Sequence, residues 1–158
     1  MNNHDHSSAH GPARSSLNRL AAGATTHCMT GCAIGEVLGL VIATRAGWGN
    51  GASIAVAVVL AFVFGYSLTM WPLLRSGMGF KRATRLALVA DTASITVMEI
   101  VDNAIMLAVP GAMEAGLDMP LFWVSMALSL VVAWIAAYPL NRWLITRGGG
   151  HAVLHSSH

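Results

Sequence analysis

The chain alternates long apolar runs with short polar breaks. Four runs stand out, over about 20–43, 51–74, 84–110 and 120–145. Each reaches the ~20 residues that a helix needs to cross ~30 Å of hydrocarbon. The runs are continuous rather than alternating in twos, which predicts helices; only helices and closed barrels satisfy their own backbone in lipid. The breaks are turn-like: Gly47-Trp48-Gly49-Asn50-Gly51, Ser76-Gly77-Met78-Gly79 and Pro110-Gly111. Short breaks predict antiparallel neighbours. The expected fold class is therefore all-α, an integral membrane four-helix up-down bundle. Asn50 and Asp118 are expected to cap the second and fourth helices, with Pro120 tolerated in the first turn of the fourth. The second helix should end near Trp71-Pro72, and Pro139 should kink the fourth. Gly31, Gly35 and Gly39 recur every four positions and form a close-packing face for a neighbouring helix. No internal repeat is visible.

Three regions follow. Residues 1–16 (Met1 to Ser16) read as a disordered polar tail, 17–147 as the four-helix domain, and 148–158 as a flexible His-bearing tail released by Gly148-Gly149-Gly150. The first run is expected to remain in the mature protein. A polar tail precedes it, and His27, Cys28 and Cys32 interrupt its apolar stretch, unlike a cleaved signal peptide.

Composition agrees with a membrane protein. Hydrophobic residues make up 55% of the chain and charged residues 10%, against about 25% charged in soluble domains. The basic residues set an orientation. Arg14, Arg19, Arg75, Lys81, Arg82, Arg85, Arg142 and Arg147 fall on one side of a four-span arrangement, and only Arg45 on the other. Both termini are thus expected in the cytoplasm, with a bacterial inner membrane as the setting. Trp48 and Trp123 fall near the outer interface, Trp71 and Trp143 near the inner one. The net charge of +2 is a topology signal; the lipid bilayer is the expected partner, and nucleic acid is not. The two cysteines are expected to be reduced.

Chemistry enters where polar residues break the apolar runs. A charge at the bilayer centre costs roughly 3 kcal/mol even on permissive insertion scales. Glu36, Asp91, Glu99 and Asp102 therefore need an offsetting partner. Cys28, Cys32 and Glu36 follow at i, i+4 and i+8, drifting only ~40° per step, so they form one stripe on the first helix with His27 beside it. On the third helix Asp91, Met98 and Asp102 lie within ~20° of one another, with Glu99 adjacent. Both helices cross in the same direction. Glu36 follows Cys28 by eight residues, as Glu99 follows Asp91. The stripes should therefore align as a polar column, with Cys28 or Cys32 near Asp91 and Glu36 near Glu99 or Asp102. Taken singly, a buried Cys is commonly an apolar filler and a buried carboxyl can be neutral and paired. Seven such residues on two facing stripes point instead to a bound ion or an ion path. The expected metal ligands are His27, Cys28, Cys32, Glu36, Asp91, Glu99 and Asp102. Thiolate and imidazole suit copper(I) and zinc, whereas carboxylates suit zinc, iron or manganese. Copper is favoured, with zinc and iron as alternatives. The tails add His4, His6, His10, His151, His155 and His158, types that hold metals loosely in flexible tracts.

The block His27-Cys28-Met29-Thr30-Gly31-Cys32-Ala33-Ile34-Gly35-Glu36 resembles the signature HCxxGCxxGE of a prokaryotic membrane family, domain of unknown function 4396. The acidic third helix, with Asp91 and then Glu99, is similar to that family as well. The resemblance covers about 20–145. It implies a four-helix membrane domain and a link to metals, copper handling among them, and it carries no established activity.

The expected function is membrane handling or transport of copper or zinc, with a metallochaperone or a larger membrane complex as a further expected partner. A metal-dependent membrane oxidoreductase ranks lower: no Glu-x-x-His motif occurs, and His27 is the only histidine in the apolar runs. A third reading is an accessory subunit whose polar column carries protons.

Overall fold

The computed structural model describes residues 11–149, and they form four α-helices with no strand among them. The helices are α1 (Gly11–Ala46), α2 (Asn50–Arg75), α3 (Phe80–Ala108) and α4 (Pro120–Leu144), followed by a π-helical turn at Ile145–Gly149. α1 begins inside the segment expected to be a disordered tail. The six tail histidines lie outside the described residues.

Turn chemistry sets the boundaries. Gly47 (φ 68°) and Gly77 (φ 84°) take the left-handed conformation that glycine adopts without steric cost. At each, two backbone bonds run back to the helix end: Trp48 N to Ala43 O and Gly47 N to Thr44 O, then Met78 N to Leu73 O and Gly77 N to Leu74 O. These are Schellman closures. They carry α2 past Pro72 to Arg75, beyond its expected end. The expected side-chain caps are absent. Gly49 and Met119 precede α2 and α4 with no side-chain capping bond, and Asn50 instead donates to Glu114 Oε1 at 3.2 Å. Pro120 opens α4 as expected, and α4 continues through Pro139 to Leu144.

α1 packs most extensively on α2, and α3 on α4; α1–α4 and α2–α3 contacts close the ring, and α1 and α3 meet across its middle. The glycine stripe makes the first of these contacts close. A β-carbon on Gly31 would lie 2.7 Å from Gly65 Cα, and one on Gly35 or Gly39 2.6 Å from the Cα of Ala61 or Ala57. The α1 and α2 backbones thus touch with no side chain between them, as the small-residue spacing predicted.

Three helical segments, Arg14–Ala46, Asn50–Arg75 and Pro120–Arg147, are long and apolar enough to cross a membrane. α3 does not join them on composition, because it carries Asp91, Glu99 and Asp102. Its pattern of exposure explains why it nonetheless belongs in the bundle. Those three carboxylates are buried, whereas Val89, Ile100 and Leu107 on the other faces of α3 are 69%, 64% and 61% exposed. A helix facing water would bury the apolar set and expose the acids. The reverse order suits a helix with lipid outside and a polar interior.

Candidate intramembrane metal site

The two stripes face each other through the middle of the bundle. Cys28 and Cys32 are free, buried, and share an apolar cluster with Ile95 and Met98 of α3 and Ala61 of α2. Cys28 Sγ donates to Asp91 Oδ1 at 3.7 Å, inside the ~4 Å expected for donor atoms that could share one ion. One turn on, Cys32 lies beside Glu99 rather than Asp91. A further turn on, Glu36 lies beside Asp102. The site residues therefore stand as three successive rungs between α1 and α3: Cys28 with Asp91, Cys32 with Glu99, and Glu36 with Asp102. His27 flanks the first rung and lies within electrostatic reach of Asp91. Among the described residues, no three His, Cys, Asp or Glu side chains gather closely enough to hold a metal ion by themselves.

Polar neighbours on α2, α3 and α4 tie the rungs in place. Ser129 of α4 donates a hydrogen bond to Asp102 Oδ1. Asn103 Nδ2 donates to the Glu99 carbonyl at 2.8 Å and to its Oε2 at 3.5 Å. Thr69 of α2 lies beside Asp91, and Ser94 beside Cys28. Asn141 of α4 donates to Thr25 Oγ1 and to Ser94 Oγ, both at 2.9 Å, linking three helices next to the first rung. The sequence reading missed Thr25, Thr69, Ser94, Ser129 and Asn141. Asn141 had a signal: it is the lone amide in an apolar run. Ser94 also had one, three residues past Asp91 on the same face of α3.

Hydrogen bonding leaves some of the column unsatisfied. Among the described residues, the buried side-chain nitrogen and oxygen atoms without a partner are His27 Nε2, Glu36 Oε1, Asp91 Oδ2 and Glu99 Oε1. All four belong to the seven residues expected from the sequence to be ligands. An unpaired polar atom in a low-dielectric core costs on the order of 1–3 kcal/mol, so native cores rarely leave one without a partner of some kind. Each of these atoms is a lone-pair donor in some protonation state.

The third rung opens into a pocket of about 60 Å³, based on Glu36 and Asp102 and walled by Met106, Met113, Phe122 and Met126 among others. That is room for water or a small ion.

The family described as domain of unknown function (DUF4396) matches residues 17–150, and the chain belongs to it. No curated protein and no solved structure matches.

Proposed function

We propose that this member of the domain of unknown function 4396 family binds a transition metal ion inside its helix bundle and moves it or hands it on, with copper first and zinc second. One observation carries the reading: the four unpartnered buried polar atoms all fall on the residues that ligand chemistry picks out. A cation at each rung in turn would satisfy His27 and Asp91 at the first, Glu99 at the second and Glu36 at the third, and would offset the cost of burying the acids. The rungs pair one thiol with one carboxylate twice, then two carboxylates. Paired donors in sequence suit an ion passed from rung to rung, and copper(I) accepts low coordination numbers. In this reading both termini face the cytoplasm of a bacterial inner membrane, because eight of the nine bases then lie inside.

X-ray absorption at the metal edge of the purified, metal-loaded chain tests the reading. Sulfur scatterers at about 2.3 Å are expected. A shell of nitrogen and oxygen alone would refute thiolate ligation.

A proton path is the second reading, and the hydroxyl of Ser129 hydrogen-bonded to Asp102 beside Glu36 favours it. Glu36→Gln separates the two. It should lower metal affinity if Glu36 is a ligand, and leave metal content intact while impairing function if Glu36 carries protons. An oxidoreductase ranks below both.

A further inference from the structure

The column has two unlike ends. Near the first rung, Thr25, Ser94 and Asn141 are 0%, 0% and 4% exposed and hydrogen-bonded to one another across three helices. Beyond the third rung lies the pocket, at the end where the α1–α2 and α3–α4 connections sit. Three of its walls are thioethers: Met106 of α3, Met126 of α4, and Met113 of the segment between them. Methionine in a core ordinarily fills an irregular gap. Here the methionines line a pocket of about 60 Å³, and its base holds the unpartnered Glu36 Oε1.

Charge distinguishes the ends as well. The pocket end carries Glu114 and Asp118 against Arg45, while the other end carries the remaining eight bases. A free cation concentrates at the acidic end and is repelled from the basic one. Glu114 is held there by Asn50 at 3.2 Å.

We infer that this pocket is the loading site of the column and that it takes a soft monovalent ion, copper(I) or its analogue silver(I), through Met106, Met113 and Met126. The inference rests on the proposed metal route and narrows it in two respects. The ion reaches the carboxylate rung first, from the end opposite the basic cluster. The neutral thioethers select copper(I), since zinc prefers thiolate, imidazole and carboxylate.

The test is a silver(I) titration of the full-length chain carrying Cys28→Ser and Cys32→Ser, with and without Met106→Leu, Met113→Leu and Met126→Leu. Both chains keep the same tails, so tail binding cancels in the comparison. Methionine to leucine conserves volume and shape well enough to keep the fold. The chain with its methionines is expected to bind one silver(I) more, or at least tenfold more tightly, than the leucine chain. Equal binding by the two would overturn the proposal. A second measurement needs no substitution: in methyl-labelled methionine NMR, silver(I) should shift the signals of Met106, Met113 and Met126 and leave Met70 and Met78 in place. Unmoved signals, or equal shifts with zinc, would overturn it. The wider metal reading fails separately. If restoring the two cysteines adds no metal, the column is not a metal route, whatever the methionines bind.

Discussion

Gly35→Ala should separate the helices on which the column depends. Gly35 lies one residue before Glu36 and three after Cys32 on α1. A β-carbon at this position would stand 2.6 Å from Ala61 Cα and 2.9 Å from the Leu60 carbonyl carbon, whereas ordinary contact begins at 3.4 Å. The shortfall of about 0.8 Å to Ala61 Cα lies against α2 backbone, which cannot rotate away as a side chain tip can. Overpacking of this kind costs up to about 3 kcal/mol, and the helix preference of alanine over glycine returns at most ~1, leaving a net loss of about 2 kcal/mol. Gly23→Ala is the internal control. It lies on the same helix with nothing within 4 Å of its β-carbon, so only the propensity gain of up to ~1 kcal/mol remains. Equilibrium unfolding in mixed micelles should therefore move the two variants in opposite directions. Metal occupancy should fall with Gly35→Ala alone, because the displaced helix carries Cys32 and Glu36. A Gly35→Ala chain as stable as the parent would refute the close α1–α2 contact.

Two further outcomes follow. Asn141→Leu keeps the branched heavy-atom skeleton of the side chain and removes both 2.9 Å bonds; at ~0.6 kcal/mol for an interhelical bond in a bilayer, the same unfolding assay should show a loss of at least about 1 kcal/mol, and an unchanged midpoint would mean the three-helix link contributes nothing. Reporter fusions at residue 158 and within 111–118 should report cytoplasm and exterior respectively, whereas a periplasmic signal from the C-terminal fusion would reverse the orientation and place the methionine pocket on the cytoplasmic side.

Much of this fold was legible because period and punctuation agree. The apolar runs lie close to α1–α4, the glycine spacing marked the face that meets α2, and equal eight-residue intervals placed the α1 and α3 stripes in register. The departures have local causes. Asn50 and Asp118 have capping chemistry, but the chain enters α2 and α4 one residue away, at Gly49 and Met119, where backbone geometry starts the helix unaided. Cys28 meets Asp91 as the spacing implied, and Cys32, one turn on, meets Glu99. Thr25 and Ser129 gave little signal because a single hydroxyl residue in an apolar run has no periodicity. Its partner is set by helix adjacency, which only the assembled bundle defines. The methionine pocket was hidden for a related reason. Met106, Met113 and Met126 come from two helices and a connection, and no spacing along the chain unites them.

The central claim is that the ion is held between α1 and α3 and not by the tails. It is tested most directly by metal analysis of the full-length chain in which His4, His6, His10, His151, His155 and His158 are all replaced by alanine. The account predicts that this chain, purified after copper exposure, retains roughly stoichiometric metal, and that adding Cys28→Ser and Cys32→Ser removes it. A metal-free six-alanine chain, or one whose metal content is indifferent to the two cysteines, would contradict it.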